Sequence, residues 1–156
     1  MSKVTRDLID YHGIDKCMFS SNFFKQLNLD FIFCIPDQKP DIEQIVKVWV
    51  KPCIIHQEII KTPTGISLEG QNITGKKLMV NGDIELKIEY VACTPTQNIH
   101  TAHTKFPFCS YVVLPNDFNS NNLVSPSVVI EDVLSEQTDL RCIYNNITLM
   151  IIADIC

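Results

Sequence analysis

From Leu78 onward the even positions Val80, Ile84, Leu86, Ile88 and Tyr90 are apolar, and the odd positions Asn81, Asp83, Glu85, Lys87 and Glu89 are polar. A period of two over more than ten residues predicts a β-strand with one face buried and one wet. A helix, at about 100° per residue, would scatter those charges around its circumference. Weaker versions of the signal recur along the chain. Phe23 to Ile35 is rich in aromatic and β-branched residues and stops at Pro36, and Val46 to Lys61 reads as a long strand in which Pro52 marks an edge or a bulge. Phe106 to Leu114, Ser127 to Leu134 and Ile143 to Ala153 complete the set, the last presenting Ile143, Ile147, Leu149 and Ile151 on one face.

Turn chemistry separates these runs. Thr62-Pro63-Thr64-Gly65, Gly70-Gln71-Asn72 and the Asn-rich stretch from Asn116 to Asn122 are loops by composition, and Ser135 to Arg141 suits a hairpin connection. Asp41, ahead of Ile42-Glu43-Gln44, reads as an N-cap opening a single helical turn. Leu8, Ile9 and Tyr11 cluster in a lead-in that predicts a short helix or an arm. Residues 1–18 are therefore expected to form an N-terminal arm, and residues 19–156 a single all-β domain, either a two-layer β-sandwich or a Greek-key barrel.

The composition agrees with one folded domain. Of 156 residues 46 % are hydrophobic and 20 % charged, well outside the regime of disorder. A net charge of −5 argues against nucleic acid or an anionic membrane surface as partner. No apolar run approaches the ~20 residues of a membrane-spanning helix, so no membrane insertion is expected. The opening MSKVTRDLIDYHGIDK lacks the apolar centre of a secretory signal, which predicts synthesis in a cytosol.

Candidate chemistry is sparse. His100-Thr101-Ala102-His103, with Cys93 and Cys109 on either side, holds ligand types that zinc accepts. On a strand, i and i+3 point to opposite faces, so His100 and His103 share an ion only if they lie in a turn. The plainer expectation is a polar loop, with no metal and no cofactor. Asp83, Glu85 and Glu89 read as the wet face of a strand rather than as an acid–base pair. No nucleophile elbow and no glycine-rich phosphate loop occur. Seven cysteines, with no C-x-x-C pair, are unusual for a cytosolic product. Cys34 and Cys53, inside apolar runs, are expected to be small buried residues, whereas Cys156 at the last position is expected to fray and reach a neighbouring chain.

Several segments together carry a resemblance. They are Phe24-Lys25-Gln26, the run Ile35-Pro36-Asp37-Gln38-Lys39-Pro40-Asp41-Ile42-Glu43-Gln44-Ile45, Lys61-Thr62-Pro63, Leu68-Glu69-Gly70-Gln71, Gly75-Lys76-Lys77-Leu78, Ile88-Glu89-Tyr90-Val91-Ala92, His100-Thr101-Ala102-His103, Pro107-Phe108, Val113-Leu114-Pro115, Glu131-Asp132 and Arg141. With the lead-in from Leu8 to Ile14, the sequence resembles the SPOCS domain of SipL-like spore-coat morphogenesis proteins over nearly its whole length. The resemblance implies a non-catalytic β domain of the bacterial endospore envelope, made in the mother cell and partnered by copies of itself and by other coat proteins. On that expectation the thiols stay reduced during synthesis and form persistent disulfides once the mother cell lyses. Cys156 and Cys17 are the first candidates for joining subunits, with Cys93 and Cys109 behind them. The alternatives are an adaptor that recruits one coat-assembly protein, and a metal-dependent enzyme using His100, His103 and a cysteine.

Overall fold

The computed structural model describes residues 3–13 and 22–156. It is all-β apart from one 3-10 turn, Arg6–Leu8. Strands β1 (Ile9–Tyr11), β3 (Ile42–Lys61), β6 (Lys76–Ala92) and β7 (Ile99–Val113) form one sheet in the order β1-β3-β6-β7. Strands β2 (Phe24–Cys34), β9 (Cys142–Ile155) and β8 (Val124–Gln137) form a second in the order β2-β9-β8. A small hairpin, β4 (Gly65–Ile66) with β5 (Asn72–Ile73), lies in the β3–β6 connection. The two large sheets pack face to face as a sandwich, with β2 against β7 and β3 against β8.

The alternation seen in the sequence supplies the core. In β6 the even residues Leu78 to Ala92 are all buried, whereas none of the odd ones is. From the facing sheet Ile143, Ile147, Leu149, Ile151 and Ala153 of β9 pack against them. At the β2–β7 side Phe31 stacks on Phe106, ring centroids 4.3 Å apart and 10° from parallel, which ties one sheet to the other. The inward position Asn145 is polar and fully buried, and it accepts a hydrogen bond from the Ser135 hydroxyl at 2.8 Å and donates to the Ile143 carbonyl at 3.2 Å. Satisfied in this way, it costs far less than an orphaned amide would.

One expected element differs. Ile42 opens a strand rather than a helical turn. The Asp41 carbonyl accepts from the Cys93 amide at 2.8 Å, so the backbone is already committed to the β3–β6 pairing. The Asp41 carboxylate, which would have capped the turn, is held by Arg141 at 2.5 Å. Arg141 also donates to the carbonyls of Pro36 (2.8 Å) and Lys39 (3.2 Å), fixing the Pro36–Asp41 connection to the β8–β9 hairpin. The described part of the lead-in holds the 3-10 turn Arg6–Leu8 and then docks along the sandwich as strand β1. β1 pairs in parallel with Val48–Val50 of β3, and Lys3 and Gly13 bridge to Glu136 and Ile130 of β8. The segment thus covers the β3–β8 side of the sandwich.

Tyr90, completely buried, donates its hydroxyl to the Pro40 carbonyl at 3.0 Å. Burial raises its phenol pKa above 10.0; the nearby Arg141 charge works against that and the Asp41 charge with it. The folded state therefore favours the neutral phenol, and its contribution is complete below the unfolded pKa and is lost as pH rises through the folded one. Tyr90→Phe is expected to cost about 1–2 kcal/mol at neutral pH through the unpaired carbonyl. The variant should also lose less stability than the parent on going to strongly alkaline pH, as read by urea melts at several pH values.

Candidate functional site

Both histidines of the His-Thr-Ala-His run lie inside β7, not in a loop. Strand alternation sends them to opposite faces. His100 turns toward the core side, its ring 5.9 Å from that of Tyr90, and His103 faces outward. They cannot share one ion. Among the described residues no group of three or more His, Cys, Asp or Glu side chains is placed to hold a metal.

His103 lines an open groove of about 630 Å³ on the outer face of the four-stranded sheet, with Tyr11, Trp49, Pro52, Lys87 and Lys105. The ammonium groups of Lys47 and Lys87 lie over the Trp49 ring at 5.2 and 4.9 Å. The charges at the groove's rim mostly satisfy one another. Lys105 pairs with Glu85 at 2.9 Å and Lys47 with Asp10 at 3.5 Å. The hydrogen bond and charge of Lys105 hold the Glu85 carboxyl below its ordinary pKa, and Glu85 in turn raises that of Lys105. Among the described residues no carboxylate hydrogen-bonds or ion-pairs with His12 or His103. The groove offers an aromatic surface and paired charges, which suit contact more than proton transfer.

The cysteines are where the structure departs most from expectation. Cys34 and Cys53 are not buried. Cys34 is exposed at the end of β2 and forms a disulfide with Cys142, its direct partner across the β2–β9 ladder. The signal was present in the sequence, because Phe31, Phe33 and Ile35 point inward and the alternation sends Cys34 out. Cys53, Cys93, Cys109 and Cys156 are free thiols, and all four are exposed. Cys53 lies opposite Asp83, and Cys109 opposite Asn81, to whose side-chain oxygen its thiol donates at 3.2 Å. β6 separates these two cysteines, and two inter-strand steps of about 4.8 Å exceed the ~7 Å that a disulfide spans between Cα atoms. Cys93 follows β6 at the end of the sandwich that carries the disulfide, and Cys156 follows β9 at the other end. Cys156 is not frayed, since its amide and carbonyl both bond to Leu123, at 2.8 and 3.1 Å. Cys17 lies outside the described residues.

The sheet edges differ in how they are protected. Prolines interrupt the edge strands β7 (Pro107) and β8 (Pro126), and Pro52 lies in β3 just past its pairing with the short edge strand β1. Flanking hydrogen bonds, from Leu114 to Lys76 and between Leu123 and Cys156, fix the alternation. They place the ring nitrogens of Pro107 and Pro126 on the side away from the paired neighbour. A proline there removes a donor from the free edge and discourages strand addition. The other two edge strands, β1 and β2, carry no proline.

No curated protein and no solved structure matches the chain. A family model does, the one described as SipL, SPOCS domain, over residues 41–138. That stretch runs from Asp41, at the Arg141 clamp, through β3, β6 and β7 to the end of β8. It includes the whole groove-bearing face except β1, and it reaches the edge of the hairpin that carries Cys142. The family is one of sporulation proteins and is not known as catalytic. With most of the sandwich inside the matched stretch, the chain belongs to the SipL, SPOCS domain family.

Proposed function

We propose that this protein is a non-catalytic structural component of the endospore envelope that associates with copies of itself and is reinforced by disulfides between subunits. The observation that carries the reading is the placement of the four free thiols. They are exposed on one broad face and at both ends of the sandwich, and none of them reaches another within the chain. Thiols so dispersed serve contacts with neighbours, and Cys93, Cys109 and Cys156, with Cys17, are the joining residues proposed. Each join forms when two thiols lose two protons and two electrons to dioxygen or to a small oxidised disulfide. The mother-cell cytosol keeps the thiols reduced during synthesis, and the oxidising exterior met after lysis fixes the contacts.

Oxidised protein run on non-reducing gels should give a ladder of multimers that collapses to one band under reduction. A single monomer band in both lanes overturns the reading. The groove over Trp49 supports a second reading, a binding module that recruits another coat-assembly protein through the outer face of the four-stranded sheet. Trp49→Ala would abolish such recruitment and leave the multimer ladder unchanged.

A further inference from the structure

The β4–β5 hairpin presents the two most exposed large apolar residues among those described, Ile66 at 78 % and Leu68 at 109 % exposure. Single apolar side chains in water need no explanation, but these two are held there by an ordered turn. The Gly70 amide donates to the Ser67 carbonyl at 2.9 Å, which puts Leu68 and Glu69 at the corners of the turn. The Ser67 amide donates to the Gln71 carbonyl at 2.9 Å, and the Ser67 hydroxyl accepts from the Gln71 amide at 3.0 Å. At the base, the Thr74 hydroxyl donates to the Leu114 carbonyl at 2.6 Å. An apolar tip fixed in this way loses little conformational freedom when it docks. The groove over Trp49 is its counterpart in shape and charge. Its lining is mainly apolar, and its rim sets Lys51, Lys87 and Lys105 against Asp10 and Glu85. Glu69 is the only charged residue between Gly65 and Asn72. Tip and groove do not meet within one chain. From Pro52 to Lys61 β3 runs about 30 Å, whereas even extended chain from Lys61 to Leu68 reaches only about 25 Å, and the pairing of β4 with β5 shortens that further.

We propose that the β4–β5 hairpin of one copy seats Leu68 and Ile66 in the Trp49 groove of the next, joining copies head to tail. This inference rests on the self-association reading above and names its non-covalent contact. A second copy is the occupant because the chain carries both halves of the contact, matched in polarity and opposite in charge. Glu69 enters a rim where neither Lys51 nor Lys87 ion-pairs with a carboxylate among the described residues. The two surfaces differ, so the contact is heterologous and repeats from copy to copy as a ring or filament instead of closing across a two-fold axis. Each copy gives one tip and receives one.

The test uses the chain with Cys17, Cys53, Cys93, Cys109 and Cys156 replaced by serine, so that no intersubunit disulfide contributes. Sedimentation and light scattering should show a mass that grows with concentration past twice the 17.8 kDa chain mass. Leu68→Asp at the tip and Trp49→Ala in the groove should each give monomer. Mixed one to one, these two variants should form a dimer that grows no further, because one intact tip meets one intact groove. Lys51→Glu combined with Lys87→Glu changes only exposed side chains and should weaken association at least tenfold, which keeps the groove testable if Trp49→Ala unfolds. In the parent, Trp49→Ala should thin the covalent ladder, the opposite of what a foreign protein in the groove would give. A serine background that is monomeric at about 0.1 mM overturns the proposal. So does association that survives Trp49→Ala, or a mixture that stays monomeric. If the background is monomeric while the parent still gives its ladder, hairpin docking fails, the groove is left to another protein, and cross-linking stands. If the background assembles and Leu68→Asp disperses it while the parent gives no ladder, docking stands and disulfide reinforcement fails.

Discussion

Replacing Cys34 and Cys142 together by serine is expected to lower the stability of the folded chain by about 3–5 kcal/mol. The two cysteines are 108 residues apart in sequence, and β3 to β8 all lie between them. In the chain-entropy account, closing a loop of that length removes a large share of the unfolded ensemble's freedom. For a domain of this size the loss corresponds to a fall in melting temperature of roughly 8–16 °C. Thermal and urea melts of the oxidised parent against the double variant measure it, and equal midpoints would show that the bridge contributes nothing. The loss should not unfold the protein outright, because Cys34 is exposed, Cys142 is half-buried and neither belongs to the core. Arg141, next to the bridge, holds the Pro36–Asp41 connection through carbonyl hydrogen bonds that do not depend on redox state. The reduced chain is thus expected to be folded, and oxidation to stiffen it further.

The second large effect is expected at Gly82. A Cβ there would stand 2.2 Å from the Cys53 carbonyl oxygen and 2.6 Å from the Phe108 ring. The oxygen belongs to the backbone of β3 beside the bulge between Ile54 and His56, where the register against β6 shifts. It cannot move without breaking the ladder. Gly82→Ala should therefore cost about 3 kcal/mol and Gly82→Val more, both from overpacking. Phe108, directly across from Gly82 in β7, fills the space that a side chain would have taken. Phe108→Ala should consequently relieve part of the Gly82→Ala penalty, a coupling that a double-mutant cycle resolves. An unchanged urea midpoint for Gly82→Ala would refute the close approach.

Gly82 also shows where sequence reading stops. In the alternation from Leu78 to Tyr90 it occupies a core-facing position yet contributes no side chain, so by itself it reads as a hole. A bulge on one neighbour and a phenyl ring from the other fill that hole, and both come from other parts of the chain. The cysteines divide in the same way. That Cys34 faces outward follows from the inward Phe31 and Phe33, but that it meets Cys142 follows only from the β2–β9 register. The Asp41 side chain has the right chemistry for an N-cap, and Arg141, one hundred residues later, claims it instead. His100 and His103, expected in a polar loop, lie inside β7, where strand alternation sends them to opposite faces. Their polar run lies on a half-exposed edge strand, where hydrophilic residues are tolerated.

The sequence alone settled the buried face of β6 and of β9, because period-two burial is local and needs no knowledge of the partner. It settled as well the all-β class and the family, whose motif residues lie mostly in connections and strand ends. Only the tertiary structure decided which strands adjoin, and with that the disulfide and the isolation of the four free thiols. Those outcomes depend on pairings between residues tens of positions apart, and the free energy that selects them is carried by no single segment.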